Sequence, residues 1–286
     1  DIYNEIIPIG IMNRRNIKDS KLSDSEIITI SIVGELLTID SEKSFFSLLK
    51  REYKELFPRL GDRTRFNRTK RNLHLVISKI RGYISEFMQL YSNNIRVIDS
   101  MPIPVCEFGR SHFSKCFKGE ASYGICASKK ETYFGFKFHA LTTVDGFLTD
   151  YVITPANIDD RNAVWDLCDK YRSISIIGDK GYINKRLTPE LKSERDIDLL
   201  FLKRANSRDN YPKEVRQLLF KVRRRIETSF SQLTEQLNLN KVKSKSMLGF
   251  ITRTSIKVLA HNISFLINKL MRNDDSMAKI KRLVFG

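Results

Sequence analysis

Cysteine is scarce: Cys106, Cys116, Cys126 and Cys168 are the only four in 286 residues, and no two form a Cys-x-x-Cys pair. Reduced thiols are the expectation, and with them a cytoplasmic protein rather than a disulfide framework. The set Cys106, His112, Cys116 and Cys126 is spaced by six, four and ten residues, unlike the common zinc modules. No apolar run approaches the roughly 18 residues that span a bilayer, and no cleavable signal or arginine-rich transit segment opens the sequence. Internal repeats and low-complexity tracts are absent. Acid is also in short supply, with 33 Asp and Glu against 50 Lys and Arg for a net charge of +17. Such an excess calls for a polyanionic partner. With no membrane signal, that partner is expected to be nucleic acid.

What is present falls into two textures. Residues 21–92 read as helical. "LSDSEIITISIVGELLTI" opens with Ser23 and Glu26 at capping-box spacing, "SEKSFFSLLKREYKELFP" is amphipathic and closed by Pro58, and a third segment runs from Leu60 to Tyr91. That third segment begins with Arg63, Arg65, Arg68, Lys70 and Arg71. A helix dipole prefers acids at its start, so these cations form either a solvated face or a set of phosphate contacts. From residue 95 the run "IRVIDSMPIPV" is strand-like, and "TYFGFKFHALTTV" and "FLTDYVITPA" flank a hairpin signal at Asp145-Gly146. A helix over "NIDDRNAVWDLCDKYR", strands "ISIIGD" and "IDLLFLKR", and a long helix from Lys213 follow. This order describes an α/β domain with a mixed sheet and flanking helices. The expected organisation is a helical domain over 1–92, an α/β domain over 93–240 and a C-terminal helical segment over 241–286 packed on the α/β domain.

Three carboxylates stand out by position. Asp99 follows Val97-Ile98 on the first strand, and Asp179 stands at the exit of the apolar strand 174–177. Glu227 lies on the long helix, on the face of Arg223, Arg224 and Ser231, with Ile226, Phe230 and Leu233 on the apolar side. If the first and fourth strands are neighbours, the two aspartates converge at one sheet edge, where a crossing helix adds Glu227. Hard oxygen donors without a histidine pair or cysteine suit Mg²⁺ or Mn²⁺. Two such ions would support in-line displacement at a phosphodiester. Taken singly, each acid also has a plain structural reading as a cap or an ion-pair partner.

The combination is more specific. "VIDS", "GFKFHALTT", "PANIDDRNAV", "IIGDKGYI" and "RRRIETSFSQL" resemble, in order and spacing, the motifs of DDE transposases of bacterial insertion sequences. The match is similar above all to the group typified by insertion sequence 982, a relative of the insertion-sequence-4 and -5 groups, and covers most of the chain. The resemblance implies a ribonuclease H-like catalytic fold with Asp99, Asp179 and Glu227 as an acidic triad holding two Mg²⁺ or Mn²⁺ ions. It also implies double-stranded DNA, both transposon ends and target, as partner, a homodimer in the DNA complex, and action at the bacterial nucleoid. Some relatives carry a Tyr, an Arg and a Lys around the glutamate. Here those positions hold Phe220, Arg223 and Thr234, so only Arg223 takes over a DNA-contact role. Further candidates for gripping DNA are Lys180, Lys203, Arg204 and Arg224, with Arg63, Arg65 and Arg68 in the helical domain.

Lys137 and His139 share one face of their strand with Gly135, opposite a core face of Phe134, Phe136 and Phe138; that polar face meets either DNA or water, and His139 is otherwise a satisfied structural histidine. Two other function classes stay open at this stage: a catalytically inactive DNA-binding regulator derived from a transposase, and a nuclease that hydrolyses without joining.

Overall fold

The computed structural model describes residues 2–14, 20–89, 93–126, 130–182, 186–201, 211–272 and 278–280. The chain divides into two compact units. One comprises residues 1–87, 233–275 and 279–286, and the other 88–232 and 276–278.

The first unit is helical. Two short turns, α1 (Ile2–Ile6) and α2 (Ile9–Met12), precede α3 (Asp24–Leu36), α4 (Glu42–Glu52), α5 (Arg63–Asn72) and α6 (His74–Gln89), which runs out of the unit at its end. The capping box forms as expected. The Glu26 amide donates to Ser23 Oγ at 3.1 Å, and the Ser23 amide donates to Glu26 Oε2 at 2.7 Å. Ser41 caps α4 and Asp62 caps α5 through the Ser44 and Arg65 amides. The third expected helix is two helices, because the chain leaves α5 at Leu73 before α6 begins.

The larger difference concerns the C-terminal segment expected on the α/β domain. The helix α10 (Met247–Leu270) belongs instead to the first unit, where it packs on α3 and α5. Its buried face is not wholly apolar. Arg253 Nε donates to Glu35 Oε1 at 3.1 Å, and Lys257 Nζ donates to Glu35 Oε2 and to the Leu237 carbonyl. Lys257 is fully buried, and burial lowers its pKa against the opposing pull of Glu35. A buried ammonium of this kind is tolerable only while its carboxylate is in place.

The second unit carries a six-stranded mixed sheet in the order β2-β3-β1-β5-β6, with β4 also on β3. The strands are β1 (Ile95–Pro104), β2 (Ser122–Cys126), β3 (Glu131–Thr143), β4 (Leu148–Pro155), β5 (Ser175–Gly178) and β6 (Asp198–Phe201). The helices are α7 (Asp160–Cys168), α8 (Leu187–Arg195) and α9 (Lys213–Ser231). β3 and β4 form the expected hairpin, turned at Gly146 with φ +97, a conformation that suits glycine. Two elements had no clear signal in the sequence: the short strand β2 and the polar helix α8.

Side-chain alternation assigns the layers. Ile98, Leu141 and Ile176 enter a core with Val164 and Leu167 of α7 and Leu187 and Leu191 of α8. Ile177, the next residue on β5, packs instead with Leu219 of α9. Thus α7 and α8 cover one face and α9 the other, which is a ribonuclease H-like arrangement.

Candidate active site

β1 and β5 run in parallel with Ile95 opposite Ser175, Arg96 opposite Ile176 and Val97 opposite Ile177. Continuing that register brings Asp99 level with Asp179. Ile98 faces α7, so Asp99 faces α9; Ile177 faces α9, so Asp179 two residues on does the same. Gly178 permits the approach. A Cβ there would lie 2.9 Å from Ile98 Cγ2 and 3.3 Å from Tyr182 Cδ2.

α9 lays Glu227 and Arg223, one turn apart, over this edge. Its inner side is held by Ile226, which is fully buried, and by Phe230, which meets the Phe138 ring of β3 edge-on at 6.2 Å. One nitrogen of Arg223, Nη2, lies 3.7 Å from Asp99 Oδ2, 3.5 Å from Asp179 Oδ2 and 3.7 Å from Glu227 Oε1. No two of those oxygens are farther apart than twice that reach. The separations belong to ion pairs rather than to hydrogen bonds, so the guanidinium stands among the carboxylates without committing to one. Its buried Nε has no hydrogen-bond partner among the described residues.

Asp99 is the most enclosed of the three. Burial pushes its pKa up to about 6; the Ser100 amide, donating to Oδ1 at 2.8 Å, and Arg223 oppose the rise, while Asp179 and Glu227 add to it. A cluster with these properties needs a cation at its centre. Its donor set, three hard carboxylates with a guanidinium between them, fits a divalent ion of the Mg²⁺ or Mn²⁺ class. No group of three or more Asp, Glu, His or Cys among the described residues is already drawn in to metal-ligating distance. Cys106, His112, Cys116 and Cys126 are likewise not gathered into such a group among the described residues.

A family model describing a transposase DDE domain matches residues 90–247, a little over half of the chain and all three carboxylates. The chain belongs to this transposase family. Searches of curated proteins and of solved structures gave no match.

Behind the strand edge of the DDE domain lies a polar layer in which a further acid, Asp160, is central. It sits at the start of α7. Its Oδ2 accepts from Ser100 Oγ at 3.1 Å, and its Oδ1 accepts from Lys137 Nζ at 2.6 Å. Lys137 also donates to the Ile158 carbonyl at 2.8 Å. Tyr182 is buried beside them, its phenol pKa raised by burial and by Asp160 and Asp99. Asp160 falls within "PANIDDRNAV", so the motif contained the signal, but its role as a bracket between β1, β3 and α7 needed the three-dimensional pairing.

That layer corrects the expectation for Lys137 and His139. Their strand face is covered by α7 rather than open to DNA. His139 is wholly buried, its Nε2 2.9 Å from Thr154 Oγ1, and burial lowers its pKa to about 4. It is a neutral interior histidine. Lys137 is engaged with Asp160. Arg224, by contrast, is exposed on α9, its guanidinium 5.6 Å from the centroid of the Phe220 ring. Lys203 and Arg204 lie outside the described residues, as does the side chain of Lys180. Arg63, Arg65 and Arg68 belong to α5 in the first unit and lie outside the family match.

Proposed function

We propose that this protein is the transposase of a bacterial insertion sequence, closest to the insertion-sequence-982 group. In this reading it binds the terminal inverted repeats, cleaves at the element ends and joins the exposed 3′ hydroxyls to target DNA. The observation that carries the reading is the convergence of Asp99, Asp179 and Glu227 on a single nitrogen of Arg223. Binding alone gains nothing from three acids gathered at one edge of a strongly basic protein. They would also repel the very ligand that the net charge attracts. The transposase DDE domain and the net charge of +17 together favour nucleic acid as the polyanion for the basic surface.

Asp99, Asp179 and Glu227 would hold two divalent ions, Mg²⁺ or Mn²⁺, by carboxylate oxygen. When bound, the ions supply the charge that polarises the phosphodiester and makes a water or a 3′ hydroxyl nucleophilic. The chain's own contribution is placement. β1 and β5 fix the two aspartates on neighbouring strands, and α9 presents Glu227 from the facing helix. Arg223 neutralises the acids while no other cation is engaged; once released, it stands one helical turn from Glu227, in position to contact a DNA phosphate. Arg224, exposed beside it, adds a second phosphate contact. Asp160 and Lys137 hold the start of α7 against β1 and β3 and so keep Ser100, and with it the Asp99 carboxyl, in orientation. Handling two element ends together calls for a homodimer in the DNA complex, at the nucleoid.

The test is an assay with labelled element ends, a target plasmid and Mg²⁺ or Mn²⁺. Joined product is expected, with Asp179→Asn abolishing both cleavage and joining while DNA affinity stays within about twofold. Cleavage that survives Asp179→Asn would refute the triad. Cleavage without joining would assign a hydrolytic nuclease instead, and binding alone a regulator.

A further inference from the structure

A cavity of about 290 Å³ lies in the first unit between α5 and the start of α10. It contains none of the three clustered acids and is built from two segments about 180 residues apart. On α5 the residues that line it are Arg63, Asn67, Lys70 and Arg71, which recur at helical spacing on one face. Arg65 and Arg68, expected alongside Arg63 in DNA binding, do not line it. Opposite stand Lys243, Lys245 and Arg253 with the α10 cap Ser246, whose Oγ accepts from the Gly249 amide at 3.3 Å.

The wall contains six cationic side chains and one acid, Glu42. The cations divide into paired and unpaired ones. Lys70 pairs with Glu42, Arg253 with Glu35, and Lys243 lies 3.8 Å from Asp40. Arg63, Arg71 and Lys245, at the exposed lip, have no carboxylate partner among the described residues. The pairs therefore hold the wall rigid while the lip keeps its charge uncompensated. Such an arrangement is costly in repulsion unless an anion joins it. The amino end of α10, 24 residues long, opens onto the same space and favours that anion further.

The geometry points to a phosphate-backbone clamp for DNA in this cleft, with Arg63, Arg71 and Lys245 as its contacts and α10 as its floor. The inference rests on the transposase reading for its ligand, but it assigns the grip to a composite surface of both chain ends rather than to α5 alone. The cleft offers charge and hydroxyl groups and little else, so it would track phosphates and read no bases.

Full-length protein is titrated with a labelled duplex across a salt series, alongside Arg71→Gln, Lys245→Gln and the double variant. Each single change is expected to weaken binding roughly five- to tenfold near 0.1 M salt and to lower the slope of log affinity against log salt by about one. Arg71→Lys, which keeps the charge, should retain the slope. Both positions are exposed, and thermal melts of each variant verify that it is folded. If the double variant is folded and binds with wild-type affinity and slope, the inference is overturned. If wild-type protein fails to bind duplex at all, the transposase reading fails instead, so the two failures are separable. Inorganic phosphate is added in a parallel melt. Stabilisation by phosphate that the double variant loses, with duplex binding unchanged, would mark a small-anion site and overturn the DNA assignment.

Discussion

Asp99 and His261 illustrate how burial acts in opposite directions on an acid and a base. Asp99 has its pKa raised to about 6, so the protonated form is favoured in the folded state, and its contribution to stability is present at low pH and lost as pH rises through about 6. His261, wholly buried on α10 with its ring against Phe265, has its pKa lowered to about 4 by burial, with Asn262 opposing. There the folded state binds fewer protons than the unfolded chain, so stability is full above about pH 6.5 and falls as pH drops towards 4. Between pH 7 and 5 each of the two buried histidines, His261 and His139, should account for about 2 kcal/mol of lost stability, partly masked by the gain at Asp99. Urea unfolding at the two pH values reads the difference. His261→Gln should remove about 2 kcal/mol of the pH-dependent loss and leave the share of His139, and a variant with wild-type pH dependence would rule the assignment out.

At this scale the gathering of three acids at one sheet edge was readable in advance. Asp99, Asp179 and Glu227 stand out because each follows a local rule: an acid after a buried strand or on the polar side of an amphipathic helix. His139 was not decidable, since alternation says which residues share its face but not what covers that face. The cover is α7, a matter of packing between elements.

The elements themselves turn on close approach. β1 and β5 come together at Gly178, where any side chain would meet Ile98, itself fully buried. Gly178→Val should therefore spread the two strands, costing on the order of 1–3 kcal/mol, and should reduce cleavage disproportionately because both aspartates ride on the displaced strands. Comparing unfolding midpoints with cleavage rates tests this. Full activity in a destabilised variant would show that the aspartates do not depend on the strand spacing. The capping box of Ser23 and Glu26 was legible because a cap is a short-range device. β2 and α8 were not: β2 is a five-residue strand and α8 a nine-residue helix without a side-chain cap. Neither has a hydrophobic period strong enough to rise above its surroundings.

For the molecule as a whole, the feature beyond the reach of local patterning is the partnership of Glu35 with Arg253 and Lys257, more than 200 positions later. Nothing near Glu35 announces it, and α10 reads from its own residues only as an apolar helix in need of a face to cover. The pairing makes α10 part of the first unit. Glu35→Gln would leave the buried Lys257 ammonium without its carboxylate and Arg253 with Asp40 alone, 3.9 Å away, at an expected cost of about 3–5 kcal/mol. Denaturant unfolding with a probe in the helical unit measures it, and a loss below about 1 kcal/mol would mean that the ion pairs contribute little to holding α10 in place.

The helical unit is closed by segments from both sides of the sheet-bearing one, and this has a consequence for synthesis. As the chain leaves the ribosome, residues 88–232 can complete their sheet and gather their acids while α3 and α5 still wait for α10. The lip formed by Arg63, Arg71 and Lys245 comes into being only after translation has passed residue 245. A message cut short between residues 232 and 245 would yield a product with its acidic cluster assembled and no finished cationic cleft.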